Sequence, residues 1–203
     1  MDENGQREIV TSESVQYYDP AKGPTPPGVA TPRQIKLMKQ WFRDIAISMA
    51  VAWLIIAFLY QPVRVQGTSM LPRLVDQDRL FINKFAYRIG DVKRGDVVVF
   101  LYPGDHTKSY IKRVIGLPGD DVRVDHGHVF VNGEELVEPY VATKYQDDRS
   151  VPELVIPPGE VFVMGDHRSI SSDSRDFGPI DKKLIYGKAA YVYWPVRDSG
   201  TVQ

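Results

Sequence analysis

The sequence predicts a mainly β domain, a sandwich or a barrel, preceded by one membrane-spanning helix. Three observations predict it. Ile45 to Tyr60 contains no charged residue. Beyond that run, short stretches of β-branched and aromatic residues recur, as strands require. Glycine, proline and asparagine turn signals separate them, which is the pattern of an all-β architecture.

Residues 1–32 are polar and broken by Pro20, Pro24, Pro26, Pro27 and Pro32, so a disordered tail is expected there. Arg33 to Asp44 is basic and partly amphipathic. It leads into the charge-free run, which as a helix is about 24 Å long at about 1.5 Å per residue. A hydrocarbon core is about 30 Å thick. Trp41 and Phe42 before the run, and Pro62 and Val63 after it, extend the span, while Arg43 and Arg64 snorkel. Residues 33–62 therefore read as a basic flank plus a transmembrane helix, with a buried core helix as the alternative. A cleaved leader fits poorly, because Ala50-Val51-Ala52 lies inside the run rather than after it. Arg33, Lys36, Lys39 and Arg43 precede the span and only Arg64 and Arg73 follow closely. That bias puts the N-terminus and residues 1–32 in the cytoplasm and residues 63–203 outside it.

Within 63–203, Arg79–Asn83, Val97–Tyr102, Tyr110–Ile115, Val122–Asp125, His128–Val131, Val161–Met164 and Ala189–Trp194 read as strands. His126-Gly127 and Asn132-Gly133 are hairpin turn signals, and a hairpin insertion is expected over about 120–158. Pro103-Gly104-Asp105, Leu117-Pro118-Gly119-Asp120 and Pro157-Pro158-Gly159 mark further turns.

Composition narrows the chemistry. The net charge is −1, so no global field favours nucleic acid, and none is expected as a partner. There is no cysteine, which removes thiol catalysis, disulfides and cysteine zinc sites. His106, His126, His128 and His167 show no zinc-site spacing, so no metal or other cofactor is expected. Asp166-His167 invites a Ser-His-Asp triad, but Gly67-Thr68-Ser69-Met70-Leu71 lacks the second glycine of a nucleophile elbow. Ser69 follows the strand-like Val63-Arg64-Val65 and lies between Gly67, which permits an unusual turn, and Pro72, which opposes regular structure. Such a turn exposes a hydroxyl and aims backbone N–H groups at one point; it is also how an ordinary loop serine looks. Lys112 sits among apolar neighbours in a strand. Burial disfavours the ammonium, and lowering its pKa by about 3–4 units makes the neutral amine abundant enough to take a hydroxyl proton. The competing reading is a lysine on the solvent face of an alternating strand.

Four segments in order then carry a resemblance. Gly67-Thr68-Ser69-Met70-Leu71-Pro72 resembles the S-M-x-P box of type I signal peptidases. Arg94-Gly95-Asp96-Val97-Val98-Val99-Phe100 resembles their R-G-D box, and Tyr110-Ile111-Lys112-Arg113-Val114-Ile115-Gly116-Leu117-Pro118-Gly119-Asp120 their Y-I-K-R box. Gly165-Asp166-His167-Arg168 followed by Ser171-Ser172-Asp173-Ser174-Arg175 and Gly178 resembles the G-D-N…S-x-D-S-R box. The resemblance spans about residues 40–195. It implies a signal-peptidase-type β-barrel or sandwich catalytic domain with one N-terminal transmembrane helix, held in a bacterial-type plasma membrane.

The resemblance also implies roles. Ser69 is the nucleophile and Lys112 the general base, a Ser-Lys dyad. Ser171 helps orient the lysine amine, and Asp173 with Arg175 forms a supporting ion pair. The Ser69 N–H donates to the oxyanion. Many relatives add a hydroxyl two residues earlier, where this chain has Gly67, so any contribution there is from the backbone. His167 stands where the usual residue is Asn, and Ser169-Ile170 where it is Asp-Asn. Substrates are signal-peptide-bearing preproteins, cut after small residues at −3 and −1 and bound as an added strand. Val65, Met70, Leu74, Tyr110 and Ile111 line the pockets. The lipid bilayer and a protein-export translocon complete the implied partners. Two other classes remain on the residues alone: a self-cleaving repressor with a Ser-Lys dyad, whose DNA-binding module residues 1–40 do not resemble, and an inactive membrane-bound relative that only binds.

Overall fold

The computed structural model describes residues 32–202, so the tail expected over 1–32 lies outside the described residues except for Pro32. The chain divides into two units, 1–51 and 52–203. Helix α1 runs from Pro32 to Leu59 across that division. Among the described residues it is the one helix long and apolar enough to cross a membrane. Its Trp41, Phe42, Trp53 and Phe58 are exposed. A core helix of a soluble domain would bury such side chains, whereas a lipid-facing one presents them to hydrocarbon.

The helix ends earlier than the sequence suggested. Tyr60–Arg64 is strand β1, so Pro62 and Val63 do not extend the span. Proline lacks the N–H that a continuing helix needs. It is tolerated on a sheet edge, and among the described residues β1 is an edge strand that pairs only with β2 (Arg79–Asn83), Pro62 opposite Phe81 and Val63 opposite Leu80.

The remaining elements are α2 (Ala86–Ile89), β3 (Val97–Tyr102), β4 (Asp105–Gly116), β5 (Asp121–Asp125), β6 (His128–Val131), β7 (Glu134–Glu135), β8 (Val151–Val155), β9 (Glu160–Met164), α3 (Ser174–Phe177), β10 (Ile180–Asp181), β11 (Ile185–Trp194) and β12 (Gly200–Thr201). They form two antiparallel sheets, the mainly β class expected. The larger has the order β1-β2-β11-β3-β4-β9-β10, with β12 on β11; the smaller is β7-β6-β5-β8 and draws its strands from within 121–155. His126 and Gly127 have φ of 46° and 80°, and Asn132 and Gly133 have 54° and 82°. Both pairs therefore make the left-handed two-residue turns that match strand twist. Strand β8 escaped the sequence reading because Pro152 and Glu153 interrupt its apolar pattern; it too lies on an edge.

The continuous apolar run of β3 has a direct cause. Val97 and Val99 pack with Leu74, Leu80, Ile82 and Ala189 on one face, while Val98 and Phe100 pack with Val114, Val163 and Ile185 on the other. A strand buried on both faces needs no polar alternation. Burying a side chain such as Phe100 contributes about 2–3 kcal/mol. A third cluster, Ile115, Val122, Val129, Phe162 and Met164, joins the two sheets.

Candidate active site

Strand β4 places the lysine. It pairs with β3 from Asp105 to Arg113, with Lys112 opposite Val98, but with β9 only from Arg113 onward. The second edge of Thr107–Lys112 thus has no strand partner among the described residues. It borders a cavity of about 800 Å³ together with Val63–Ser69, Leu80, Val99, Ile170, Ser172 and Tyr186.

Ser69 sits on the turn that follows β1. Gly67 adopts φ of 96°, open to a residue without Cβ. Its N–H donates to Asp76 Oδ1 at 2.8 Å, so that backbone donor is already engaged. Leu71 N donates to Thr68 O and Leu74 N to Met70 O, tightening the turn. The Ser69 N–H has no hydrogen-bond partner among the described residues.

The turn and the strand bring Lys112 Nζ to 2.7 Å from Ser69 Oγ. Lys112 is 4% exposed. Its burial, chiefly, pulls its pKa down to about 8, against the opposing pull of Asp173 and Asp166 and with help from Arg175. That is a smaller fall than full availability at neutral pH requires: at pH 7 the neutral amine is about a tenth of the population. The depression holds because the two aspartates are matched by arginines. Arg175 binds Asp173 with Nε to Oδ1 and Nη2 to Oδ2, both 2.8 Å. Arg113 binds Asp166 with Nε to Oδ1 at 2.9 Å and Nη2 to Oδ2 at 2.8 Å. Burial works to raise the pKa of Asp173, but the Arg175 guanidinium holds it below the ordinary carboxylate value. It therefore stays an anion paired to arginine rather than a proton store.

Asp166 is thus committed to Arg113, and His167 Nδ1 donates to Thr68 O at 3.2 Å rather than meeting the Ser69 hydroxyl. The histidine triad is not assembled.

Ser171 is buried, and its Oγ, which helps to lower the Asp173 pKa, has no well-formed hydrogen bond among the described residues. A methyl group on Gly165 would collide with that Oγ and with Ser69 O at 2.5 Å, so the Gly165 backbone, Ser171 and the nucleophile turn are packed against one another. Asp173 also accepts from Gly165 N at 3.0 Å and caps α3. The expected residues Ser69, Gly67, Lys112, Ser171, Asp173 and Arg175 are therefore gathered in one region.

The pocket expectations divide. Val65, Tyr110 and Ile111 line the cavity. Met70 and Leu74 do not. They are 1% and 0% exposed and pack with Leu80, Ile82 and Ala189 in the core. The turn directs the residue after Ser69 inward, so its apolar character serves packing. Leu80, Val99 and Tyr186, from strands distant in sequence, line the cavity instead.

Sequence reading also missed a charged brace. Arg149 donates from Nε to Asp147 Oδ2 at 2.6 Å and from Nη2 to Arg168 O at 2.9 Å and Ser171 O at 3.1 Å. Asp147 Oδ2 also accepts from Arg175 Nη1 at 2.8 Å. Arg168 is in turn paired with Glu138. An arginine within an apolar strand demands a buried partner, which was the available signal for Arg113. Nothing local marks Arg149.

The family model for signal peptidase, peptidase S26, matches residues 38–194. The chain belongs to the peptidase S26 family. Signal peptidase I of Bacillus licheniformis is 39% identical over 169 residues, covering 78% of this chain and 90% of the relative. Signal peptidase IB of Staphylococcus aureus strain Mu50 is 34% identical over 176 residues, covering 79% of this chain and 91% of the relative. A crystal structure of a signal peptidase I from Enterococcus faecalis V583 aligns with a TM-score of 0.44 and 31% identity, over 49% of this chain and 97% of its own. As a member of the S26 family this chain is a serine endopeptidase, and α1 is consistent with membrane anchoring.

Proposed function

We propose that the chain is a membrane-anchored peptidase that removes N-terminal signal peptides from exported preproteins, with Ser69 as nucleophile and Lys112 as general base. The observation that carries this reading is the 2.7 Å approach of a buried lysine amine with a depressed pKa to a serine hydroxyl at a cavity edge. Names of the S26 relatives support the substrate class.

The 2.7 Å contact supports the following steps. The neutral Lys112 amine accepts the Ser69 proton as Oγ bonds to the scissile carbonyl carbon. The carbonyl oxygen becomes an oxyanion facing the Ser69 N–H. Collapse breaks the C–N bond, and the Lys112 ammonium returns its proton to the leaving amine. Lys112 then takes a proton from water as the water oxygen attacks the ester, and Ser69 Oγ leaves with the proton back. In this reading the Ser171 hydroxyl, buried beside Gly165, takes up the amine during turnover, and Asp173–Arg175 holds that region in place.

The substrate enters as an extended strand along the free edge of Thr107–Lys112. The apolar walls at Val63, Val65, Val99, Ile111 and Tyr186 suit small side chains at −3 and −1. The N-terminus faces the cytoplasm and the domain from 63 to 203 lies outside it, following the basic flank before α1. Preproteins emerging from a translocon thereby share a bilayer face with the site, which raises their effective concentration.

The test is cleavage of a preprotein by detergent-solubilised protein across pH. Because the active form is the deprotonated amine, kcat/KM is expected to rise about tenfold per pH unit below about 8 and to level off above it. Folded wild type that leaves the preprotein uncut at every pH contradicts the function. Cleavage with a flat profile from pH 6 to 9 contradicts Lys112 as the base.

A further inference from the structure

Ser69 N–H and Thr68 C=O belong to one planar peptide unit, so fixing the oxygen fixes where the N–H points. His167 holds that oxygen: its Nδ1 lies 3.2 Å from Thr68 O. A carbonyl oxygen only accepts, so Nδ1 carries the proton. The main chain of His167 holds the next peptide as well, its N–H donating to Ser69 O at 3.0 Å. The imidazole is steadied by Tyr145, with ring centroids 4.2 Å apart. One residue thus grips both peptides that flank the nucleophile.

The neighbouring donors sharpen the point. The Gly67 N–H is engaged by Asp76, whereas the Ser69 N–H, like those of Thr68 and Met70, has no hydrogen-bond partner among the described residues. Thr68 O also accepts from Leu71 N at 3.2 Å, so the imidazole and the turn hold the same oxygen together. A second hydrogen bond to the same carbonyl also polarises the peptide and strengthens its N–H as a donor.

We infer that His167 is a positioning residue for the oxyanion donor, aiming the Ser69 N–H through its Nδ1 bond to Thr68 O. The role rests on the proposed peptidase function. It is a matter of one atom: an asparagine amide nitrogen is bonded to Cγ as Nδ1 is, whereas a glutamine amide nitrogen lies one bond further out.

The test compares His167→Asn, His167→Gln and His167→Ala in full-length protein, by steady-state cleavage of a preprotein and by inhibition with a peptide aldehyde. The aldehyde forms a hemiacetal at a serine nucleophile, whose oxygen occupies the oxyanion position. His167→Ala and His167→Gln are expected to lose about tenfold or more in kcat with KM within about twofold. Their aldehyde inhibition is expected to weaken in parallel, while inhibition by an uncleaved ground-state peptide stays unchanged. His167→Asn is expected to stay within about threefold of wild type in all three. The main-chain grip on Ser69 O survives in every variant, and an unchanged thermal midpoint verifies that the turn is folded. Wild-type kcat in the alanine and glutamine variants overturns the inference. So does an asparagine variant as poor as alanine, or a loss confined to KM. Failure of wild type itself to cleave counts instead against the peptidase reading.

Discussion

Ser69→Ala and Lys112→Met are each expected to lower preprotein cleavage by about 10⁴-fold or more, and the double variant is expected to be no worse than either. The non-additivity follows from the geometry. Without the amine, the Ser69 hydroxyl has no other hydrogen-bond partner among the described residues; without the hydroxyl, the amine at 2.7 Å has nothing to activate. Lys112→Met also removes a buried ionisable group and replaces it with an unbranched apolar chain of similar length. Its thermal midpoint is therefore expected to equal or exceed that of wild type, because the cost of burying the lysine disappears. An inactive variant that is also more stable separates a chemical role from a structural one. Multiplicative losses in the double variant would mean that the two residues act independently.

The second large effect concerns Asp173. Its carboxylate receives both arms of Arg175, the Gly165 N–H and the Arg175 N–H, at the start of α3. The Arg175 side chain is 1% exposed. Removing one partner of a buried pair leaves an uncompensated charge, at a cost of about 3–5 kcal/mol. Asp173→Ala is therefore expected to lower the thermal midpoint by about 10–15 °C, measured by circular dichroism. Asp147 still accepts from Arg175, which limits the loss. The same change removes a negative charge that favours the Lys112 ammonium and leaves the Arg175 charge that opposes it. Any residual activity is expected to show its pH midpoint moved below about 8. A midpoint moved upward would mean that Asp173 does not act on Lys112 through charge.

How far this could be read in advance depended on which residues decide their own surroundings. Val97–Phe100 and Val161–Met164 are buried on both faces, so their composition alone marks strands. His126-Gly127 and Asn132-Gly133 need positive φ at both positions, so their turns were legible too. Lys112 was visible as an anomaly, a charge among apolar neighbours, but only the pairing of β4 with β3 and the turn that carries Ser69 decide where it points. Met70 and Leu74 sit in the core rather than on the cavity wall, and the side on which a turn places a side chain is a tertiary property. Leu80, Val99 and Tyr186 reach the cavity from three separate strands, so no local pattern marks them. Gly67 was flagged for its conformation, yet the engagement of its N–H depends on Asp76, nine residues away.

A nucleophilic serine must carry the acyl group of its substrate between the two halves of the reaction. The most direct measurement is acid quenching of the full-length protein during turnover of a signal-peptide ester, followed by peptide mapping by mass spectrometry. The expected result is an acyl adduct on the peptide containing Ser69, absent from Ser69→Ala. Its rate of formation is expected to fall when the reaction is run well below pH 8, where Lys112 is protonated. An adduct on any other residue, or full turnover by Ser69→Ala with no adduct at position 69, would contradict the dyad.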